Sequence, residues 1–454
     1  MMDIAMKKTT DLTEGPIIRQ LLLFFLPIAA GSVFQQLYNA VDALVVSRFV
    51  GTAALAAVGG SAARVVDLLI GFCVALASGA AVVIAQFYGA RRYEEVRRSI
   101  HTSYLFCALL GLSLTVIVFV LTKPLLTLLK TPEDTFADAA VYLRIIFGGA
   151  VFTLLYNMGA SALRALGNSR FPFLCLALCC VLNSVLDIVF VAGLRLGVTG
   201  AAWATVFSQA VSAILVTGAL LRSDAAVRFS FRELRLTGNV LLRMMKIGVP
   251  AGLQSLMYSI SNVILQVGIN LLGTVVIASW SMSGKVDGFF WVVSNAFATA
   301  VCTFVGQNYG AGKLDRVRDC VRRGFFVLFG MTLAMIAIIL PLARPILQIF
   351  TTDPEVIECT RYIILFFVPT YVLWIIIDHF SGAMRGLGDT LVPTIITGVC
   401  ICGFRILWVL TAFRISPTLP VICAGYPLSW LLGDIGILIH YKRLPVFRKK
   451  QSGI

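Results

Sequence analysis

One long phrase of this chain is written twice. Residues 86–99 read QFYGARRYEEVRRS and residues 307–320 read QNYGAGKLDRVRDC, and 307 − 86 sets a shift of 221 residues. The same shift carries Arg164, Gly167 and Pro172 of RALGNSRFP onto Arg385, Gly388 and Pro393 of RGLGDTLVP. A period near half the chain means two homologous halves rather than a string of small repeats. The solvent of those halves follows from composition: 59% of the 454 residues are hydrophobic and only 13% are charged. A soluble protein carries about twice that charge fraction. Apolar runs of about 20 residues recur from end to end, each long enough to cross a bilayer as a helix. The runs are continuous rather than alternating, which excludes a membrane β-barrel.

Each half offers six spans. The first half reads about 17–47, 54–87, 96–121, 136–163, 171–193 and 198–221; the second reads about 244–272, 276–308, 320–342, 356–384, 391–413 and 418–440. An even number per half makes both halves enter from one side, so the repeats are parallel about an axis along the membrane normal. The expected fold is an all-α polytopic membrane protein of twelve transmembrane helices in two parallel, pseudo-symmetric six-helix lobes. Residues 1–221 form the first lobe, 222–243 a basic inter-lobe linker, and 244–454 the second lobe with a short basic tail. Secondary transporters use such a plan, with the substrate pathway between the repeats. Pro27 and Pro250 sit near the start of the first helix of each half, where proline removes a helical hydrogen bond and bends the chain.

The net charge of +15 is distributed by side. With the N-terminus inside, 26 of the 37 Lys and Arg residues fall in inner loops and 8 in outer ones, leaving Arg64, Lys285 and Arg405 within spans. This asymmetry puts both termini in the cytoplasm. No basic folded domain is left for nucleic acid, so the expected surroundings are the lipid bilayer and small molecules, with the chain as a monomer. The first apolar segment contains Gln35, Gln36, Asn39 and Asp42 and reads as a retained helix rather than a signal peptide. The eleven cysteines form no C-x-x-C pair and read as small buried thiols. There is no phosphate-loop motif, no H-E-x-x-H and no G-x-S-x-G, so neither ATP-driven transport nor a membrane enzyme is indicated, and no cofactor is expected.

Ionisable groups inside a membrane cost several kcal/mol and are functional candidates by default. Asp42 lies in the first span and Asp187 in the fifth, with Asn183 one turn before it on the same face. Asn157 in the fourth span and Thr205 in the sixth add oxygen ligands. Such a set suits a hard cation such as Na⁺, held by Asp42, Asn183, Asp187 and Thr205. It equally suits H⁺, because burial makes a carboxyl easier to protonate. Arg64 with Asp67, and its repeat counterpart Lys285 with Asp287, read as buried ion pairs satisfying themselves, or as pairs on the central face that exchange partners during a cycle. Asp378, beside His379 in the tenth span, is a candidate second-lobe proton site, and Asp434 a weaker one.

These residues resemble the multidrug and toxic compound extrusion (MATE) family, in its bacterial drug-exporter branch. The resemblance rests on P-x₇-QQLYNAVD (27–42), the QxYGA loop in both halves, ALRALGNSRFP (162–172) with its second-half partner, N-x-x-x-D (183–187) and GAAWAT (200–205). It implies two six-helix lobes around a V-shaped cavity in a bacterial inner membrane. It also implies export of amphipathic, often cationic, organic compounds in exchange for H⁺ or Na⁺. The family's first-lobe cation site would fall on Asp42, Asn183, Asp187 and Thr205, with Asn157, Tyr38 and Gln35 nearby. The seventh span contains no carboxylate, so coupling is expected in the first lobe. The alternative within transporters is a lipid-linked oligosaccharide flippase, for which only Arg64, Lys285 and Arg405 are available to hold a phosphate.

Overall fold

The structure is a computed structural model that describes residues 11–447. Lys7, Lys8, Arg448, Lys449 and Lys450, counted above among the inner cations, lie outside the described residues, as does most of the basic tail. Among the described residues there is no strand. Apolar runs without water satisfy their backbone groups internally, and a helix does so within one segment.

The first half comprises α1 (Ile17–Phe49), α2 (Val58–Gly89), α3 (Tyr93–Leu128), the bent pair Glu133–Gly148 and Ala150–Ala165 as α4, α5 (Arg170–Gly193) and α6 (Gly197–Leu221). The second half comprises α7 (Gly238–Asn270), α8 (Thr274–Gly310), α9 (Leu314–Phe350), α10 (Pro354–Leu387), α11 (Leu391–Ile415) and α12 (Leu419–Arg443). Ten of these are long and apolar enough to span a membrane as they stand, and α4, bent by 48° at Gly149, makes an eleventh. The twelfth, α7, interrupts its apolar run with Gln254, Ser255, Ser259, Ser261, Asn262 and Gln266. Its place in the fold is fixed by symmetry: α1 and α7 are both 33 residues long, and the shift of 221 superposes both their ends. The starts of α3 and α9, and of α5 and α11, coincide under the same shift.

The repeated phrase is a helix terminus. After α2 the chain turns through Arg91 at φ 57, and after α8 through Gly312, its counterpart, at φ 72. Gly167 (φ 88) and Gly388 (φ 91) close α4 and α10 in the same left-handed way. The motif is thus legible as a stop signal, which Arg91 satisfies at a cost that Gly312 avoids.

The described chain forms two compact units. One holds Leu22–Gly252 and the other Leu253–Ile454, with Gly15–Leu21 grouped with the second. The division falls inside α7 rather than in the 222–243 segment. Glycines are the reason within the first unit. A Cβ on Gly248 would strike the Leu76 carbonyl, one on Gly79 the Met244 carbonyl, and one on Gly252 the Phe72 ring. Backbones of α2 and α7 therefore touch directly, the close approach that small residues permit in membrane helices. Arg243 adds a 2.7 Å hydrogen bond to Gln86.

The 222–243 segment packs as structure too. Phe229 is buried against the His101 ring at 5.2 Å. The Ser230 amide donates to His101 Nε2 at 2.9 Å, Thr237 donates to Thr102 Oγ1 at 3.2 Å, and Arg97 pairs with Glu233.

Candidate functional site

Three helices of the first unit carry the polar cluster, and an apolar knot sets their register. Val46 of α1, Val191 of α5 and Ala201 of α6 are fully or nearly fully buried in one core cluster with Val45, Val58 and Val198. Asp42, Asp187 and Thr205 each lie four residues, one helical turn, from Val46, Val191 and Ala201 respectively. Packing the knot therefore brings the three polar side chains to one level. Asp187 also ends the regular part of α5, and Ile188–Gly193 continues it as a π-helical turn, a distortion often found at functional sites.

Asn183 and Asp187 are completely buried. With its amide turned as the neighbouring donors and acceptors require, Asn183 donates to Asp187 Oδ2 at 2.8 Å and accepts from the Thr205 amide at 3.2 Å. The Thr205 hydroxyl donates to the Ala201 carbonyl at 3.1 Å and meets the Tyr38 hydroxyl at 3.3 Å. Asp42 and Asp187 are close enough for their charges to interact, and Tyr142 lies within reach of both. Asp42 Oδ1 and Asp187 Oδ1 are buried and accept no hydrogen bond. Asp187 thus holds one bonded and one open oxygen, and Asp42 accepts no hydrogen bond among the described residues.

Other sequence candidates are placed differently. Asn157 donates to its own helix at Thr153 O, 2.8 Å away, and no hydrogen bond links it to either carboxylate. Gln35 is exposed. The expected Arg64–Asp67 pair does not form: both side chains are exposed, and no ion pair joins them. Lys285 and Asp287 do not pair either, because residues two apart on a helix point to different sides. Lys285 instead sits 5.6 Å from the Phe350 ring, and Asp287 accepts from the Tyr371 hydroxyl. Asp378 accepts from Ser294 at 2.5 Å, whereas His379 turns away to the Val321 carbonyl at 2.8 Å. Asp434 is buried with neither oxygen hydrogen-bonded. Eleven cysteines are free thiols, most of them buried. Among the described residues no three His, Cys, Asp or Glu side chains cluster as a metal site.

The feature missed in the sequence is a cavity of about 550 Å³ inside the second unit. Trp280, Trp291, Trp374, Trp430, Tyr258 and Tyr426 contribute to its wall, with Arg405 and Asp287 as its charged groups. Its signal was the distribution of tryptophan: of six, only Trp203 lies in the first half.

A protein-family model described as MatE matches residues 27–189 and 250–410, one segment in each half. The chain is 29% identical over 456 residues to the probable multidrug resistance protein YoeA of Bacillus subtilis, covering 98% of this chain and 97% of that one. It is 27% identical over 368 residues to a protein named FAD transporter from Shewanella oneidensis, covering 79% and 80%. A solved MOP-superfamily transporter from Pyrococcus furiosus shares the fold with a TM-score of 0.89, at 24% identity, over 98% of this chain and all of that one.

Proposed function

The chain belongs to the MatE family of multidrug transporters, and on that premise we propose that it is a proton-coupled exporter of amphipathic organic compounds. It is a multi-pass membrane protein and a transporter, not an enzyme. The observation that carries the coupling is the pair of open oxygens, Asp42 Oδ1 and Asp187 Oδ1, buried beside the hydrogen-bonded Asn183 and Thr205. Two buried carboxylates whose charges interact repel in a low-dielectric setting, and a bound cation removes that cost. A proton needs one or two oxygens. A Na⁺ ion asks for more, by analogy with other hard cations that take six or so. Asn183 accepts from the Thr205 N–H and the Thr205 hydroxyl donates to the Ala201 carbonyl, and both oxygens keep a lone pair. The proton assignment therefore rests on the two open carboxylate oxygens, which are enough to hold H⁺.

In the proposed cycle, protonation of the pair from outside weakens its hold on a cationic cargo, and deprotonation towards the cytoplasm restores it, so the two exchange. Both termini and the 222–243 segment face the cytoplasm of a bacterial inner membrane in this reading, on the charge asymmetry of the loops. The relatives' names cover drug resistance and a flavin nucleotide, which is consistent with cargo chosen by aromatic and amphipathic character rather than by one functional group. The test is dye and drug movement in everted vesicles with an imposed pH gradient or an imposed Na⁺ gradient. Transport should follow the pH gradient and be lost in Asp42→Asn; transport driven by Na⁺ alone would overturn the proton assignment.

A further inference from the structure

The repeat shows that the two lobes use one place in the fold for different chemistry. Shifted by 221, Thr205 becomes Tyr426, Ser184 becomes Arg405 and Gln209 becomes Trp430. Asn183 and Asp187 become Phe404 and Trp408. Where the first lobe gathers carboxylates and small polar groups, the second gathers aromatic rings around a guanidinium.

That guanidinium is unusual. Arg405 is 4% exposed, lies 4.0 Å from the Tyr426 ring centroid and 5.8 Å from that of Trp430, and makes one hydrogen bond, Nε to Ser429 Oγ at 3.0 Å. No carboxylate pairs with it among the described residues. The acid that shares the cavity wall, Asp287, does not reach Arg405 and accepts the Tyr371 hydroxyl through Oδ1. An arginine presents five N–H donors, so four remain unmatched. Buried polar groups are normally satisfied, and the unmatched donors of a guanidinium on a cavity wall favour a ligand that carries acceptors. The rings are held edge to face in a continuous chain: Trp280 to Phe367, Phe367 to Tyr426, Tyr426 to Trp430, Trp430 to Trp374 and Trp374 to Trp291. Such interlocked rings are preformed and cost little entropy to present to a flat ligand.

We propose that this second-lobe cavity is a binding site for planar aromatic compounds bearing an anionic oxygen group, with Arg405 pairing the anion and the tryptophan and tyrosine rings stacking on the ring system. The volume of about 550 Å³ matches a drug-sized ligand. The fork of a guanidinium matches a carboxylate or sulfonate in plane. At the Tyr426 ring an organic cation fits poorly, because Arg405 already takes the cationic place there and would repel a second charge. The proposal extends the export reading by giving the carrier an anion-selective subsite apart from its coupling pair.

The experiment is titration calorimetry of the purified chain in lipid nanodiscs, with empty nanodiscs subtracted. The probes are three naphthalenes of one size: naphthoate, naphthamide and naphthylmethylammonium. Naphthoate should bind about tenfold tighter than the amide, and the cation weakest. Arg405→Gln should erase the anion preference and keep the amide, whereas Arg405→Lys should keep part of it. Tyr426→Ala should weaken all three by about tenfold. A wild-type ranking with the cation equal to or above the anion overturns the proposal without any variant, so a Gln variant that fails to fold leaves the test intact. An unchanged anion-to-amide ratio in Arg405→Gln overturns it as well, and undiminished binding in Tyr426→Ala overturns the location. No ion gradient is applied, so these results are read separately from coupling at Asp42 and Asp187.

Discussion

Replacing Asp187 by Asn keeps the shape of the side chain and removes the only thing the coupling argument needs, its charge. Asn183 donates to Asp187 Oδ2 at 2.8 Å, and an asparagine oxygen can take that place. The bond changes from charge-assisted to neutral, which lowers its worth by about 1 kcal/mol. The new amide nitrogen falls where Asp187 Oδ1 stood without a partner, so a buried donor without an acceptor adds about 1–3 kcal/mol to that loss. Coupling is lost as well, since one of two open oxygens can no longer take up a proton. Efflux driven by a pH gradient should fall at least about tenfold, equal to about 1.4 kcal/mol or more of coupling energy. Asp378→Asn serves as comparison, because Asp378 has a Ser294 hydroxyl at 2.5 Å and no second acid bonded to it. The assay is initial efflux rate in everted vesicles at matched protein amounts, with folding checked by size-exclusion chromatography. Wild-type rate in Asp187→Asn beside a dead Asp378→Asn would refute the assignment of coupling to the first lobe.

Gly248→Ala should destabilise the first unit by about 1–3 kcal/mol, since its Cβ meets the backbone of Leu76 and only a shift of a whole helix can make room; an unchanged thermal midpoint in detergent would contradict the direct α2–α7 contact. Gly312→Ala should cost about 1 kcal/mol although nothing lies within 4 Å of the new methyl, because the cost is the left-handed backbone at φ 72. Stability equal to wild type would show that the turn relaxes out of that conformation. A single cysteine at Arg232, in a background lacking the eleven native ones, should react with an impermeant reagent only after the membrane is opened. Labelling from outside intact cells would reverse the topology.

The two-lobe helical plan was legible before any coordinates, because hydropathy and a 221-residue period are one-dimensional properties. The α1 and α7 ends superpose under that shift even though α7 alone is too polar to declare itself a span. Much of the first-unit polar cluster was legible for a related reason. A carboxylate in an apolar run is conspicuous, and Asn183 and Asp187 share a face by helical spacing alone. Pairings across helices were not legible. Sequence proximity suggested Arg64 with Asp67 and Lys285 with Asp287, and neither pair forms. The side chains of Asp287, Asp378 and His379 go to Tyr371, Ser294 and Val321 instead, on other helices. Asn157, equally conspicuous, spends its amide on its own backbone. The aromatic cavity drew on α7, α8, α10, α11 and α12 at once, so no window of sequence contained it. Sequence by itself determined which segments cross the membrane, how they repeat and which carboxylates are too costly to be incidental, since each is settled by a residue and its own helix. Tertiary structure decided which oxygens stay open, which cation stays unpaired and where α7 attaches, since each depends on what a neighbouring helix brings within about 3 Å, the reach of a hydrogen bond.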